Sequence, residues 1–292
     1  MKKYKPYLTR VDLVKNQVER ERIQEQEAKR KRKQRIQEQN RQNHLRYQEQ
    51  LRSEMAARYF HSVMSTGGES FSNTRSLLFD GTDDYVDCGT TLGGNLGATY
   101  SGDQTVSLWY KRTSSRIESP FQFGNQNFAY GRGVGLLFVN NDLRISINDN
   151  WRAAFTTTFD TNWHHVLYSA KNNGDNTFDL KLYLDGTAVI NTTVNIGRNT
   201  LALSPNIITW IGRSSTYEFD GNIDEVAFWN NDQSGNINNI YSAGGPQDLN
   251  SLNPLTWWRF EEGSGTTATD SGTLGNDGTL EGPPIYSTDI PS

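Results

Sequence analysis

The feature that most constrains this chain is a change in sequence periodicity near residue 70. Residues 10–60 contain neither proline nor glycine and are rich in glutamine, glutamate, lysine and arginine, all of which favour helix. Beyond residue 75, apolar residues instead recur at every second position in short runs separated by glycine, asparagine and aspartate. The sequence therefore predicts a long charged N-terminal α-helix followed by a separate β domain.

A short polar stretch marks the boundary between the two parts. Glycine, serine and asparagine interrupt the helical pattern in STGGESFSNTRS (65–76). We therefore assign residues 1–64 to a charged helical anchor segment and residues 65–75 to a linker. Residues 76–292 form the β domain, with residues 250–292 as its C-terminal strand and tail.

The predicted helix has few apolar residues, and its middle third has too few to sustain a heptad seam. A strong dimeric coiled coil is therefore not expected. The sequence favours a helix laid against a partner or one helix of a loose bundle, and a solvated charged helix is the alternative. The apolar residues predicted to form the contact face are Val11, Val14, Val18, Leu51 and Met55.

Charge is divided unequally between the two parts. Residues 1–60 hold 17 Lys and Arg against 8 Asp and Glu, which leaves 12 against 25 of the chain totals of 29 and 33. The basic run KRKRKQR (29–35) is surrounded by glutamates and has no interleaved aromatic residue. We therefore expect the helix to bind an acidic protein surface, and specific nucleic-acid binding is not expected.

The β domain contains twelve candidate strands with no helical pattern between them, which favours a sandwich of two antiparallel sheets. Alternation in QTVSLWYKR and FDLKLYLDG predicts that each of these two strands has one buried face. The candidate strands are 76–79, 84–88, 104–112, 133–139, 142–149, 153–159, 164–172, 178–186, 187–193, 208–214, 222–230 and 255–262.

Two features concern the compartment of the protein. Cys88 is the only cysteine, so no intramolecular disulfide is available. The first residues contain no apolar stretch typical of a secretory signal, and no apolar run is long enough to cross a bilayer. We therefore expect synthesis in a cytoplasm and no membrane insertion.

Five motifs carry a resemblance to a known family, and they occur in that family's order. They resemble the concanavalin A-like, laminin G-like jelly-roll domain over roughly residues 75–245, which implies a mainly β, two-sheet antiparallel jelly-roll sandwich. The motifs are SLLFDGTDDYVDCG, TVSLWYKR, TNWHHVLYS, LKLYLDGTAV and FDGNIDEVAFWN.

One segment departs from the family's order. Residues 257–280 resemble the strand and turn that often precede the Phe-Asp-Gly motif in such domains, yet here they follow the domain. Either this segment supplies a strand to the same sandwich in a circularly shifted order, or it is an orphaned half-repeat.

The resemblance also implies a calcium ion on the rim, held by an early Asp-Gly loop and by an aspartate on the last long strand. Asp80 and Gly81 in FDG and Asp224 in NIDEV match these positions, and Asp84 is a further candidate. Calcium takes six to eight oxygen ligands from carboxylates and carbonyls. The alternative is that these acids accept hydrogen bonds from turn amides and hold no ion.

No catalytic constellation is apparent. A glycosidase needs two facing carboxylates, whereas the adjacent pairs Asp224/Glu225 and Glu261/Glu262 are expected to point to opposite faces of a strand. His164 and His165 are likewise consecutive on a strand and are not expected to share a metal. The sequence therefore predicts a protein that is not an enzyme.

Aromatic residues offer a second type of site, because sugar rings pack on aromatic faces. Most of the seven tryptophans lie within predicted strands and are expected in the core. Trp151 is expected in an exposed turn, and Arg213 and Tyr217 in loops that line a groove. These three residues are the predicted glycan-binding set.

The layout of a charged helix before a jelly roll resembles structural proteins of marine bacteriophages. This resemblance implies a non-enzymatic virion protein: a capsid decoration, tail fibre or other appendage, made in the host cytoplasm and located in the virion. The helix would bind other virion proteins, the protein would be oligomeric within the particle, and the jelly roll would bind host-surface glycans. The alternatives are a free carbohydrate-binding lectin or adhesin and a polysaccharide hydrolase.

Overall fold

The computed structural model describes most of the chain beyond residue 70. The predicted N-terminal helix with its contact face, and the predicted linker up to residue 70, lie outside the described residues. Within the described part, no helix has the length and apolar character needed to cross a membrane. The described residues are 71–97, 100–124, 133–147, 150–198, 200–201, 207–215, 217–242 and 244–292.

Short strands separated by tight turns dominate the described chain, as the alternating apolar pattern predicts. Two short helices, α1 (Thr91–Leu96) and α2 (Ile237–Ile240), interrupt them. The strands are β1 (Ser76–Asp80), β2 (Tyr85–Asp87), β3 (Gln104–Arg112), β4 (Glu118–Gly124), β5 (Val134–Val139), β6 (Asp142–Ile147), β7 (Asn150–Thr156), β8 (Trp163–Asn172), β9 (Thr177–Leu184), β10 (Thr187–Asn195), β11 (Ile208–Ile211), β12 (Arg213–Ser214), β13 (Tyr217–Glu218), β14 (Asp220–Trp229), β15 (Tyr241–Ser242), β16 (Gly245–Pro246), β17 (Thr256–Trp258), β18 (Thr267–Ala268), β19 (Gly278–Glu281) and β20 (Ile285–Ser287).

These strands form two antiparallel eight-stranded sheets that make a sandwich. Sheet A has the order β10-β9-β8-β3-β14-β1-β20, with β17 also paired to β14. Sheet B has the order β18-β19-β2-β11-β4-β5-β6-β7. The mainly β, two-sheet antiparallel sandwich predicted from the sequence is therefore confirmed.

The main core lies between the two sheets and is rich in aromatic side chains. Phe79, Phe138 and Phe228 are fully buried in it. The alternation predicted for β9 is confirmed, because Phe178 and Leu180 face this core while the residues between them do not. The prediction of one buried face is wrong for β3, whose residues are nearly all buried because both of its faces are covered.

The chain itself covers much of the outer face of sheet A. A second apolar cluster lies there, and the C-terminal tail crosses the same face. Asp289 accepts hydrogen bonds from Lys111 Nζ (2.6 Å) and from Trp163 Nε1 (2.8 Å). The second cluster consists of Leu167, Ala227, Trp229, Ile240, Leu249 and Trp257.

Strand β4 is absent from the sequence-based prediction, although it lies inside sheet B between β11 and β5. Its sequence contains Pro120, which cannot donate a hydrogen bond to a neighbouring strand. The pairing with β5 shifts register between Glu118 and Phe121, so the proline lies in an irregularity of the ladder. Its carbonyl instead accepts a hydrogen bond from Gly212 N (3.0 Å).

The segment that follows the expected domain completes the same sandwich. β17 pairs with β14 and β20 pairs with β1 in sheet A, while β19 pairs with β2 in sheet B. The segment is therefore part of the same sandwich and is not an orphaned half-repeat. It contributes strands to both sheets rather than one.

This integration predicts a large stability loss on truncating Trp258 in β17. The side chain is fully buried, and its Nε1 donates to the Asn276 carbonyl at 2.9 Å. Trp258→Ala should lower the free energy of unfolding by about 3–5 kcal/mol, measured by urea denaturation. The control Ile285→Ala, at a side chain that is 66% exposed, should change it by less than about 0.5 kcal/mol. Equal stability of the two variants would contradict the integral role of the segment.

Candidate functional site

The turn between β1 and β2 gathers three carboxylates. Asp80, Asp83 and Asp84 each place one carboxylate oxygen within 4.8 Å of the others. Asp84 is buried and accepts a hydrogen bond from Asp80 N at 2.9 Å, while Asp80 Oδ1 accepts one from Thr82 N at 2.8 Å. Burial raises the pKa of the Asp84 carboxyl, and the charges of Asp80 and Asp83 raise it further. We call these three residues the acidic loop.

The donor chemistry of the acidic loop fits a calcium ion, because carboxylate oxygens are its preferred ligands. A cation there would also offset the repulsion among the three acids. Gly81 has a φ of 73°, which allows the turn. Its carbonyl accepts a hydrogen bond from Arg116 Nη2 at 2.6 Å.

Asp224 lies away from the acidic loop. In the pairing of β1 with β14, Asp80 is opposite Asp220, so Asp224 lies four residues further along the strand. Four residues of strand span about 13 Å, far beyond the reach of one ion's ligand shell. The predicted ligand set is therefore corrected: Asp80 and Asp84 come together with Asp83, and Asp224 does not join them.

Asp224 and its neighbour Glu225 instead form a buried pair at an irregularity of β14. Glu225 has a φ of 50°, and the pairing with β3 shifts register between Asp224 and Ala227. Asp224 accepts from Asn73 Nδ2 at 2.9 Å, and Glu225 Oε2 accepts from Trp257 Nε1 at 2.5 Å. Burial raises the pKa of Glu225 to about 8 and that of Asp224 well above its usual range.

The other adjacent acids also hold the fold together. Glu261 accepts hydrogen bonds from the backbone amides of Thr74 and Arg75, and Glu262 accepts one from Thr269 N. Asp224 and Glu225 are 0% and 3% exposed, so neither can contact a polysaccharide. The carboxylates considered for catalysis are therefore engaged in structural contacts.

The two histidines point to different surroundings, as their consecutive positions predict. His164 lies between Asp185 and Asp160, at 2.7 and 3.0 Å, and its hydrogen bond to Asp185 raises its pKa. His165 is fully buried, and burial lowers its pKa to about 3. Its Nε2 lies 2.8 Å from Ser107 Oγ.

Next to the acidic loop, two aromatic rings and an arginine stack together. Tyr85 and Trp210 meet edge to face, with ring centroids 6.0 Å apart. Arg213 Cζ lies 4.6 Å from the Tyr85 ring centroid and 5.3 Å from that of Trp210. We call these three residues the aromatic–arginine patch. Tyr85 directly follows Asp84 in the chain, so the patch and the acidic loop occupy neighbouring chain positions, and we consider them together as the candidate site.

A glycine positions the arginine of the patch. Arg213 is the third residue after Trp210, so regular strand alternation would place their side chains on opposite faces. Gly212 interrupts the strand with a φ of 80°, a conformation that glycine adopts without strain. An added Cβ there would lie 2.4 Å from the Phe79 ring, so a larger residue does not fit.

The structure places the three predicted glycan-binding residues in different surroundings. Arg213 is in the patch, and Tyr217 lies in the same hairpin, in β13, opposite Ser214 of β12. Trp151 is in β7 rather than in a turn, and four strand spacings, about 19 Å, separate β7 from β11. Trp151 is therefore remote from the patch.

Sequence reasoning missed Tyr85, and it expected most tryptophans to be buried, as Trp210 is at 7% exposure, without indicating that Trp210 packs against Tyr85. The alternation Tyr85-Val86-Asp87 was an available signal, because Val86 is buried and its neighbours must face away from the core. No local signal brings Trp210 next to Tyr85, since the two residues lie on separate strands far apart in sequence.

Similarity to a known family agrees with the sandwich. A family model described as the concanavalin A-like lectin/glucanases superfamily (Laminin_G_3) matches residues 80–236. No curated protein matches the chain. A heptameric SAP-like pentraxin from Limulus polyphemus is 12% identical, with a TM-score of 0.44, covering 59% of this chain and 84% of the pentraxin. The Ruminococcus gnavus IT-sialidase CBM40 is 13% identical, with a TM-score of 0.41, covering 54% of this chain and 92% of the CBM40.

The acidic loop predicts a calcium-dependent rise in thermal stability. An ion that binds only the folded state stabilises it by RT ln(1 + [L]/Kd), about 2.7 kcal/mol at a hundredfold excess over Kd. The double variant Asp80→Asn with Asp83→Asn should lose the calcium-dependent shift, measured by tryptophan fluorescence on heating. The control Asp87→Asn should keep it, because Asp87 lies outside the acidic loop. Identical wild-type melting curves in chelator and in millimolar calcium would leave these acids as turn residues.

Proposed function

The chain belongs to the concanavalin A-like lectin/glucanase superfamily, and on this premise we propose that residues 71–292 form a non-catalytic, lectin-like module that binds glycans. The observation that carries the proposal is the aromatic–arginine patch beside the acidic loop. It combines an aromatic ring, a partly exposed guanidinium 4.6 Å from that ring, and carboxylates that precede the ring in the chain.

Each side chain of the patch has a distinct role in this proposal. Tyr85 is half-buried and supplies a ring against which the apolar face of a sugar packs. Arg213 is 28% exposed, and its Nε is 3.8 Å from Glu218 Oε1, so its guanidinium retains donors for sugar hydroxyl or acidic groups. Trp210 is only 7% exposed and supports the other two from beneath.

The acidic loop supports the same proposal. A calcium ion held by Asp80, Asp83 and Asp84 would lie in the turn that precedes Tyr85 and would offer coordination to sugar hydroxyls. The carboxylates themselves accept hydrogen bonds from hydroxyl groups. Binding is favoured over cleavage because, of the acids considered for catalysis, Asp224 and Glu225 are buried, and Glu261 and Glu262 accept hydrogen bonds from backbone amides.

A glycan array on the full chain tests this proposal. Arg213→Ala should reduce binding at least about tenfold, since charged hydrogen bonds contribute roughly 1.5–3 kcal/mol. Tyr85→Ala should weaken binding as well, whereas Tyr85→Phe, which keeps the ring, should retain most of it. Arg198→Ala, at an exposed turn position, is the matched control and should bind normally.

Two outcomes would count against this function. If the folded protein binds no glycan on the array, the glycan-binding proposal is wrong. New reducing ends after incubation with mixed polysaccharides would identify a hydrolase instead of a binding module.

The opposed charges of the two parts favour a second proposal, that the protein is a structural component of a virus particle. Residues 1–60 carry an excess of nine positive charges, whereas the rest of the chain carries an excess of thirteen negative ones. A basic segment attached to an acidic module is suited to binding an acidic protein surface on a particle, from which the module projects. The free lectin or adhesin remains the alternative.

Removal of residues 1–69 tests the particle proposal. The remainder, residues 70–292, forms a compact unit, so the truncated protein should fold and keep its glycan binding. It should no longer join particles in a co-sedimentation assay. Undiminished incorporation would eliminate the anchoring role, and absence of the full chain from particles would eliminate the particle proposal itself.

A further inference from the structure

We propose that the buried acids Asp224 and Glu225 share one proton at neutral pH, and that loss of this proton at alkaline pH releases the segment through which the chain enters the β domain. We call residues 71–75 the entry segment. It contacts β14, β17 and the residues that follow β17. Because it belongs to the predicted linker, its release would lengthen that linker. The proposal does not depend on glycan binding or on the particle role.

The entry segment is held to the sandwich by side-chain contacts, and it precedes β1 without being part of a strand. Phe71 stacks on Trp257, with ring centroids 6.2 Å apart, and Arg259 Cζ lies 4.6 Å from the centroid of the Phe71 ring. The amide of Thr74 donates to Glu261 Oε1 at 2.8 Å. Because these contacts lie outside the strand ladders, a change of charge beneath the segment can release it while the sheets stay paired.

The charges around the two buried acids do not balance. Arg259 Nε donates to Glu225 Oε1 at 3.2 Å, which pairs one carboxylate with one guanidinium. Within the described part of the chain, no ion pair involves Asp224. Two ionised carboxylates beside one guanidinium would leave an uncompensated negative charge in a buried site, which is costly. One proton on the pair removes this excess charge.

The other neighbours of Asp224 add no positive charge. Glu261 follows β17 and is a third acid: burial chiefly raises the pKa of Asp224 and of its neighbour, and the charge of Glu261 raises it further. On β3, the residue opposite Asp224 is Trp109, which carries no charge. The next residue in that row is His165 of β8, and burial lowers its pKa to about 3, so it is neutral. These surroundings favour the protonated pair.

Hydrogen bonding places the proton on Asp224. Arg259 and Trp257 both donate to Glu225, which favours the charged form of that acid. Asp224 instead accepts from Asn73 Nδ2 at 2.9 Å, and Oδ1 of the same amide is buried without a hydrogen-bond partner. An ionised carboxylate has no donor, whereas a protonated one has an O–H group that it can offer to this oxygen.

This proton sets the direction of the pH dependence. Burial raises the pKa of Asp224 well above its usual range in the docked state, whereas in the released state it would titrate near the ordinary value of about 3.9. Docking is therefore strongest below that ordinary value, and the stabilisation is lost as the pH rises through the raised pKa. Over this window, the docking constant should fall by up to about tenfold for each pH unit.

A spin label on the entry segment of the full chain tests the proposal. Ser72 is exposed, and a nitroxide attached to Ser72→Cys should be restricted at mildly acidic pH and mobile at alkaline pH, measured by electron paramagnetic resonance. The native Cys88 is 2% exposed and should not take the label. Circular dichroism should stay unchanged over the same range, because the sheets remain paired. A label whose mobility does not change with pH would overturn the proposal.

The variant Asp224→Asn tests whether this acid controls the release. It keeps the size of the side chain but carries no charge at any pH, so the label should stay restricted at alkaline pH. The matched control Glu281→Gln removes an exposed carboxylate in β19 and should release the segment as the wild type does. An Asp224→Asn variant that releases the segment with the wild-type pH profile would contradict the proposal.

Carbon-13 NMR of the wild type, labelled at the aspartate carboxyl carbons, gives a readout that needs no change at Asp224. One aspartate should remain protonated at neutral pH and should lose its proton over the same alkaline range in which the spin label becomes mobile. If every aspartate is ionised at neutral pH, or if none titrates together with the release, the proposal is wrong.

Discussion

One irregular strand, β14, organises the whole sandwich. On one side it pairs with β3, and on the other side it is shared by two strands: β1 along residues 220–223 and β17 along residues 226–228. Asp224 and Glu225 lie between these two stretches. The positive φ of Glu225 turns the strand at this point, so two segments that are distant in sequence share a single edge.

The buried acids at this junction accept hydrogen bonds from residues near the start of the β domain and from residues of its C-terminal segment. Asn73 donates to Asp224, while Trp257 and Arg259 donate to Glu225, and Arg259 Nη2 also donates to the Ser72 carbonyl at 2.5 Å. Burying carboxylates is costly unless they are paired and hydrogen-bonded. Burial raises the pKa of both acids, and these hydrogen bonds to their carboxylates act against that rise. The two acids therefore link the start of the β domain to its C-terminal segment. The pair resembles catalytic or metal-binding acids in sequence, but its role is structural.

Features that depend on local sequence were predictable, and features that depend on register were not. The strands followed from alternation, and the closeness of Asp80 to Asp84 followed from their proximity in the chain. β4 was not predicted because it contains Pro120, and proline is unusual in an interior strand. The assignment of Asp224 to the calcium site failed because sequence cannot show which residue of β14 lies opposite Asp80. The patch could not be assembled from sequence, because its three members come from different strands and one of them depends on the turn at Gly212.

The candidate site lies on a surface of the sandwich that other segments of the described chain do not cover. The second apolar cluster and the tail around Asp289 occupy much of the outer face of sheet A, so the rim beside β2 is where half-buried aromatic and charged groups remain together.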